Sequence, residues 1–376
     1  MSGDKKQTIG NNGENIPNLA SLYINPTKYC NLQCRHCWIS PPNMEEAAGG
    51  EDEISVGEMI EVVKVAKELG LLSVKLTGGE PLLREDLRGL LEFCDKSDIE
   101  IWLETNGTLI TKDTVQMLKD TSVGFISVSL DSSYEDKHDT FRGSKGAFKR
   151  TLSGIENLVR EGLIPQVIMT LYKENINDFE HFLKLMRKIG ADDIKVNTIS
   201  CIGRGHDMQL SGMVPSVREV LDFRERLKSL KKSFNGYIFL DIPMAFKSLE
   251  DLKKRNFGKC AVKNILGLLS DGRVSLCGVG YLDEKLVFGN VKENPSVLKD
   301  IWLHNPILKR IREDIPSKLE GVCEMCVFKN MCMGSCRAEA YHEGGDLITA
   351  PSRFCQEAYE EGNFPNTRLI PETLRA

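Results

Sequence analysis

The sequence predicts an α/β fold, a partial (β/α)6 barrel followed by a cysteine-rich C-terminal domain. Three observations carry that expectation. Strand-like apolar runs alternate strictly with helix-like runs six times between residue 21 and about residue 200. That order gives a parallel sheet with right-handed crossovers, and six units fall short of the eight that close a barrel. Residues with chemistry to offer recur just after successive strands, where α/β folds build their sites. Ten of the twelve cysteines fall into two groups instead of scattering over apolar positions.

Taken in order, residues 1–20 are polar and read as a flexible arm. SLYINPTKY (21–29) is a strand feeding a cysteine loop, and MEEAAGGEDE is a Gly- and acid-rich loop. ISVGEMIEVVKVAKELG has apolar residues at helical spacing and stops at Gly70, a C-cap position. LLSVKLTGGEP is a strand ending in a glycine pair, and LRGLLEFCDKS a helix. IEIWLETNG, GFISVSLDS, PQVIMTLYK and DDIKVNTIS are the next strands. TKDTVQMLKDT, GAFKRTLSGIENLVREG and NDFEHFLKLMRKIG are the helices between them. Residues 202–259 are less regular, with a polar helix, SVREVLDFRERLKSLKKS, and a short strand, YIFLDI. LLSDGRVSLC reads as a hairpin. The organisation expected is an arm (1–20), the barrel (21–220), a bridge (221–259) and a C-terminal domain (260–376).

Composition narrows the function. Hydrophobic residues at 41% and charged residues at 27% exclude global disorder. A net charge of -5 with no like-charge block argues against a general nucleic-acid binder. No apolar run approaches the ~20 residues of a membrane span. The polar N-terminus lacks a signal peptide's apolar middle, so a cytoplasmic location is expected. In a reducing compartment twelve cysteines are not a disulfide framework. They are core thiols or metal ligands. Cys30, Cys34 and Cys37 place three thiolates within eight residues. Zinc with His36 as fourth ligand is one reading, although His36 adjoins Cys37 and both would have to reach one small ion. A cubane iron–sulfur cluster is wider, and three thiolates leave it one iron open to a substrate or cofactor.

At this point the residues resemble a family. Cys30, Cys34 and Cys37, with an aromatic ring (His36) before the last, resemble the signature of radical S-adenosylmethionine (radical SAM) enzymes, and GGEP at 78–81 resembles their second motif. Cys260, Gly272 and Cys277, then Cys323, Cys326, Cys332 and Cys336 at gaps of two, five and three, then Cys355, resemble a SPASM domain. The resemblance implies three [4Fe-4S] clusters, S-adenosylmethionine, and an electron donor such as flavodoxin or ferredoxin. Cys30, Cys34 and Cys37 would hold the catalytic cluster, whose open iron chelates the cofactor's methionine part. Reductive cleavage would then give a 5′-deoxyadenosyl radical that takes hydrogen from substrate. Cys323, Cys326, Cys332 and Cys355 would hold an outer auxiliary cluster, and Cys260, Cys277 and Cys336 an inner one. RNFGKC offers no ligand ahead of Cys260, so the inner cluster is expected to keep an open iron.

The cofactor pocket expected from the resemblance comprises Gly78, Gly79, Glu80, Asn106, Ser129 and Arg142. The glycines permit close backbone approach, and their carbonyls can accept from an ammonium. Glu80 either accepts from that ammonium or holds the loop. Ser127, Ser129 and Asp131 share one strand face. Arg142 either pairs with the cofactor carboxylate or forms a surface ion pair. Cys94 reads as a core thiol, and Cys201 as either core or site. The substrate expected first is a ribosomally made peptide, crosslinked or otherwise modified. Because only 29 residues precede Cys30, either a separate precursor-recognition protein or direct binding of the peptide is expected. The alternative is a tetrapyrrole of the haem pathway or another small cofactor precursor, a branch that CRAEAYHEGGDLITAPSRFC resembles. Gly278 stands where sulfatase-maturing relatives carry Asp, which disfavours that activity. A non-enzymatic electron carrier needs no cofactor pocket, so GGEP, Ser129 and Arg142 argue against it.

Overall fold

The computed structural model describes residues 8–9, 15–42, 53–253 and 260–374. The acidic loop read at 44–53 lies, apart from Glu53, outside these residues, as do 254–259, the stretch just ahead of Cys260. Within the arm, Thr8–Ile9 pairs antiparallel with Asn15–Ile16.

The six strands expected are present as β1 (Ser21–Ile24), β2 (Ser73–Leu76), β3 (Glu100–Thr105), β4 (Phe125–Ser129), β5 (Gln166–Leu171) and β6 (Asp193–Thr198). They pair in that order, all parallel. The structure extends this partial barrel at both edges. β7 (Tyr237–Asp241), inside the stretch read as a bridge, adds parallel to β6 as a seventh strand. β8 (Ile265–Leu268), from the C-terminal domain, adds parallel to β1. β9 (Arg273–Ser275) and β10 (Val287–Asn290) continue antiparallel from it, so the main sheet has ten strands.

Along the barrel the helices are α1 (Val56–Glu68), α2 (Leu87–Lys96), α3 (Lys112–Asp120), α4 (Glu135–Arg142), α5 (Ala147–Arg160), α6 (Phe179–Ile189), α7 (Arg204–Leu210) and α8 (Val217–Ser233). The remainder are α9 (Leu249–Lys253), α10 (Val297–His304), α11 (Pro306–Asp314), α12 (Gly321–Glu324), α13 (Lys329–Cys332), α14 (Arg337–Gly344) and α15 (Arg353–Glu360). α1 starts at a capping box. Ser55 Oγ accepts from the Glu58 N–H at 3.2 Å, and the Glu58 carboxylate accepts from the Ser55 N–H at 2.7 Å. Its Met59, Val62 and Val63 are buried in one core with Leu22, Ile24, Val74 and Leu76, each large side chain contributing roughly 1.5–3 kcal/mol. Among the described residues no helix is long and apolar enough to cross a membrane.

The other face of the strands is polar. In-register neighbours share a face, which places Tyr23 beside Lys75, Glu104 beside Ser127, Lys195 beside Phe239 and Asn197 beside Asp241. Lys75 pairs with Glu104 at 2.6 Å, and Lys195 with Asp241 at 3.0 Å. Apolar strands with polar and charged side chains at several alternate positions on the face away from the helices give the partial barrel a polar lumen.

Candidate functional site

The cysteine loop leaves β1 and is pinned from two sides. The Gln33 N–H donates to the Arg142 carbonyl at 3.0 Å and the Arg35 N–H to the Phe141 carbonyl at 2.9 Å, which ties the loop to the end of α4. The Glu80 N–H donates to the Tyr29 carbonyl at 2.8 Å, which ties it to the turn after β2. Cys34 is buried, Cys30 and Cys37 are half-buried, and Leu32 and Ala147 pack against all three. His36 lies in a ring stack, 4.5 Å from Phe141, which itself stacks on Tyr172 at 4.2 Å. Burial lowers the His36 pKa to about 3. No three His, Cys, Asp or Glu side chains among the described residues converge as a single metal ion requires.

The GGEP turn is shaped by this loop. A Cβ on Gly79 would sit 1.9 Å from the Tyr29 carbonyl oxygen, and Gly78 has φ 111°. Glu80 is buried, and its carboxylate accepts from Thr105 Oγ1 (2.7 Å), the Asn106 N–H (2.8 Å) and the Leu82 N–H (3.2 Å). Of the two roles read for it, holding the loops is the one these contacts perform. Asn106 Nδ2 donates to Asn31 Oδ1 at 2.8 Å and faces Cys30 Sγ at 3.9 Å. Ser129, at the end of β4, is half-buried, and its hydroxyl makes no hydrogen bond among the described residues.

Arg142 does not form a surface pair. It is buried, its Nε donates to Asp131 Oδ2 at 2.5 Å, and its Nη1 lies 3.5 Å from Cys34 Sγ. Asp131 is fully buried and also accepts from the Thr170 N–H at 3.0 Å. Burial pushes the Asp131 carboxyl up, but Arg142, His36 and His138 together hold it below the usual range.

Cys323, Cys326, Cys332 and Cys355 line one cavity of about 330 Å³. The Phe328 N–H points at Cys326 Sγ and the Ser352 N–H at Cys323 Sγ, both at 3.4 Å. Cys260 and Cys277 act on the Cys336 thiol and on Tyr23 in the lumen. Cys336 and Cys332 also line a cleft of about 790 Å³ with Asn197 and Asp241 from the strand ends. Burial pushes Cys30 up to about 12 and Cys323 up to about 11. Cys94 is buried in the main core, as expected. Cys201 is buried beside Arg353, Glu343, Glu339 and Glu357.

Residues 24–186 match the family model of the radical SAM superfamily, and residues 260–327 match that of an iron-sulfur cluster-binding domain, SPASM. The AdoMet-dependent heme synthase of Methanosarcina barkeri is 30% identical over 346 residues, 89% of this chain and 95% of that protein. The chain belongs to the radical SAM superfamily. This enzyme is also similar to the PqqA peptide cyclase of Methylocella silvestris, 25% identical over 89% of this chain and 87% of that one. Streptococcus suis SuiB bound to S-adenosylmethionine shares the fold at a TM-score of 0.71 and 19% identity, over 91% of this chain and 78% of that one.

The two domains of this radical SAM enzyme imply iron–sulfur clusters and S-adenosylmethionine, and the residues present fit them. Cys323, Cys326, Cys332 and Cys355 line one cavity, and Cys30, Cys34 and Cys37 share one small cluster. Sequence reasoning did not single out Lys75, Glu104, Lys195 and Asp241. Their signal was available: Lys75, Glu104, Lys195 and Asp241 each fall at a position of SVKL, EIWLET, DIKVNT or YIFLD that alternates with the apolar, core-facing residues. Trp38 was also missed. A Cβ on Gly278 would lie 2.2 Å from the Trp38 ring, so the residue after Cys37 packs on the residue after Cys277. That contact also leaves no room for an Asp at 278.

Proposed function

We propose that this radical SAM enzyme carries three [4Fe-4S] clusters and removes hydrogen from a carboxylate-bearing substrate in the lumen. The observation that carries the reading is the rim itself: Cys30, Cys34 and Cys37 gather after β1, Arg142 Nη1 lies 3.5 Å from Cys34 Sγ while its Nε pairs with buried Asp131, and Ser129 ends β4. When bound, the barrel cluster and S-adenosylmethionine supply reductive carbon–sulfur cleavage to a 5′-deoxyadenosyl radical. The protein's residues do the rest. Gly78 and Gly79 offer carbonyls that accept no backbone N–H among the described residues, and Ser129 offers a hydroxyl. Arg142 keeps Nη2 for the cofactor carboxylate while Asp131 fixes its plane. Glu80 and Asn106 hold the three loops in register.

For the substrate we favour a tetrapyrrole or another small carboxylate-bearing precursor. Lys75 and Lys195 face the lumen and can accept a carboxylate in exchange for Glu104 and Asp241. The relative at 30% identity and 95% coverage supports the same class. The second reading is a peptide maturase, supported by the likeness to the PqqA peptide cyclase and by the polar cleft at the strand ends. A separate recognition protein and a flavodoxin-type donor belong with that reading and with the reductive step respectively.

The test is anaerobic turnover of the reconstituted enzyme with dithionite. Formation of 5′-deoxyadenosine must vanish when Cys30, Cys34 and Cys37 are Ala. With the unsubstituted enzyme, an iron porphyrin with propionate arms should lose carbon dioxide to leave a vinyl group, one hydrogen atom passing to 5′-deoxyadenosine and one electron to a supplied one-electron acceptor. Turnover of a short peptide and not the porphyrin would move the assignment to the second reading.

A further inference from the structure

Arg337 follows Cys336, opens α14 and is fully buried. Its guanidinium donates to four backbone carbonyls. Nε reaches Leu347 (2.9 Å), Nη1 reaches Gly334 (3.0 Å), and Nη2 reaches Ile348 (3.3 Å) and Ala350 (2.8 Å). These are neutral partners, so they satisfy the donors without cancelling the charge. A buried cation costs several kcal/mol unless negative charge lies close to it. Cys323, Cys336 and Cys260 act on this cation more strongly than the carboxylate of Asp346 does.

The local frame explains why one side chain serves both cysteine sets. The Arg337 N–H donates to the Cys260 thiol of the inner set. Gly334, whose carbonyl holds Nη1, gives its own N–H to Cys332 of the outer set. Ser352, two residues past the carbonyl of Ala350, points its N–H at Cys323 Sγ. The guanidinium is therefore fixed by carbonyls of two segments, around 334 and 347–350, whose nearby N–H groups reach Cys332 and Cys323.

We propose that Arg337 is a shared cation that raises the reduction potential of both C-terminal clusters. The proposal rests on the reading that these cysteines hold clusters. Reduction adds one electron to a cubane and makes or breaks no bond. A fixed positive charge in a low-dielectric setting stabilises the added negative charge. Arg337 is a positioning and tuning residue, not a catalytic one, and a role limited to bracing residues 345–350 would leave the potentials unmoved.

The experiment is an EPR-monitored dithionite titration of the full-length reconstituted chain, with iron counted first. Wild type should hold about twelve iron atoms. Arg337→Gln removes the charge and keeps a donor. Both auxiliary midpoints should fall, a tenfold weaker electron affinity reading as about 59 mV, while the barrel cluster stays where it was. Arg337→Lys keeps the charge and should return both midpoints toward wild type. Wild-type potentials in iron-replete Arg337→Gln would overturn the proposal, as would an equal shift in all three clusters. If the Gln variant loses auxiliary iron, the Lys variant decides: unchanged midpoints support the proposal, and a fall overturns it. Loss of iron from both variants would make Arg337 a scaffold residue and overturn it too. Wild type holding only the barrel cluster's iron would overturn both this proposal and the cluster reading beneath it, and so is distinct from the other outcomes.

Discussion

Asp131 and Arg142 show what burial does to a single pair. Each has lost its water, so each depends on the other and on fixed hydrogen bonds for its charge. Arg142→Ala leaves a buried carboxylate without its cation. We expect a loss of about 3–5 kcal/mol in the stability of the metal-free chain, measured by urea unfolding, together with weaker S-adenosylmethionine binding by calorimetry. Asp131→Asn combined with Arg142→Gln should recover part of the stability and none of the binding. His138 supplies a pH signature. Its Nδ1 accepts from the Asp131 N–H at 3.2 Å, it is fully buried, and burial lowers its pKa to about 4. The unfolded chain therefore takes up the proton first. Stability should fall as pH drops from about 6.5 to about 4, by up to about 3 kcal/mol. His138→Gln should flatten that limb when urea midpoints are compared at pH 7 and pH 5. An undiminished slope would assign the acid sensitivity to other groups.

Among the elements, α4 is the instructive case. It reads EDKHDTFR, and its buried side chains are His138, Phe141 and Arg142, so hydrophobic periodicity says little there. Yet it delivers Arg142 and anchors the cysteine loop through its last carbonyls. α1, with its capping box and apolar face, was legible because local signals and burial agree. The turn after β2 is legible as a glycine pair, but the sequence suggested ligand approach as the reason. In the structure the immediate neighbour of Gly79 is the Tyr29 carbonyl. Gly79→Ala should therefore displace the cysteine loop. Iron analysis should show roughly one third of the metal lost and no 5′-deoxyadenosine formed, with the auxiliary spectrum intact. Retention of full iron would mean that the loop can yield.

For the molecule as a whole, the shared sheet matters most. β8 pairs with β1, so the C-terminal domain closes an edge that the barrel would otherwise expose. Trp302, fully buried in the C-terminal part, donates from Nε1 to the Pro17 carbonyl at 3.1 Å and draws the N-terminal segment into the same body. A chain cut after residue 253 would bare the β1 edge and an apolar face, both of which favour aggregation. We expect it to be recovered as soluble oligomers or inclusion bodies rather than as a monomer, which size-exclusion chromatography would show. A monomeric, metal-loaded 1–253 fragment would mean that the two domains fold independently.

The sequence by itself determined the alternation of strands and helices, and hence the parallel sheet. It also determined which cysteines are grouped along the chain, because motif spacing and hydrophobic period are local properties of the chain. Only the tertiary structure decided the rest. The seventh strand and the joining of β8 to β1 depend on pairing between segments far apart in sequence. The charged lumen depends on which strand face the helices leave uncovered. Arg142 became a buried ion pair, and Arg337 a cation held among thiols, because charge is governed by neighbours in space, and those neighbours are set by the fold.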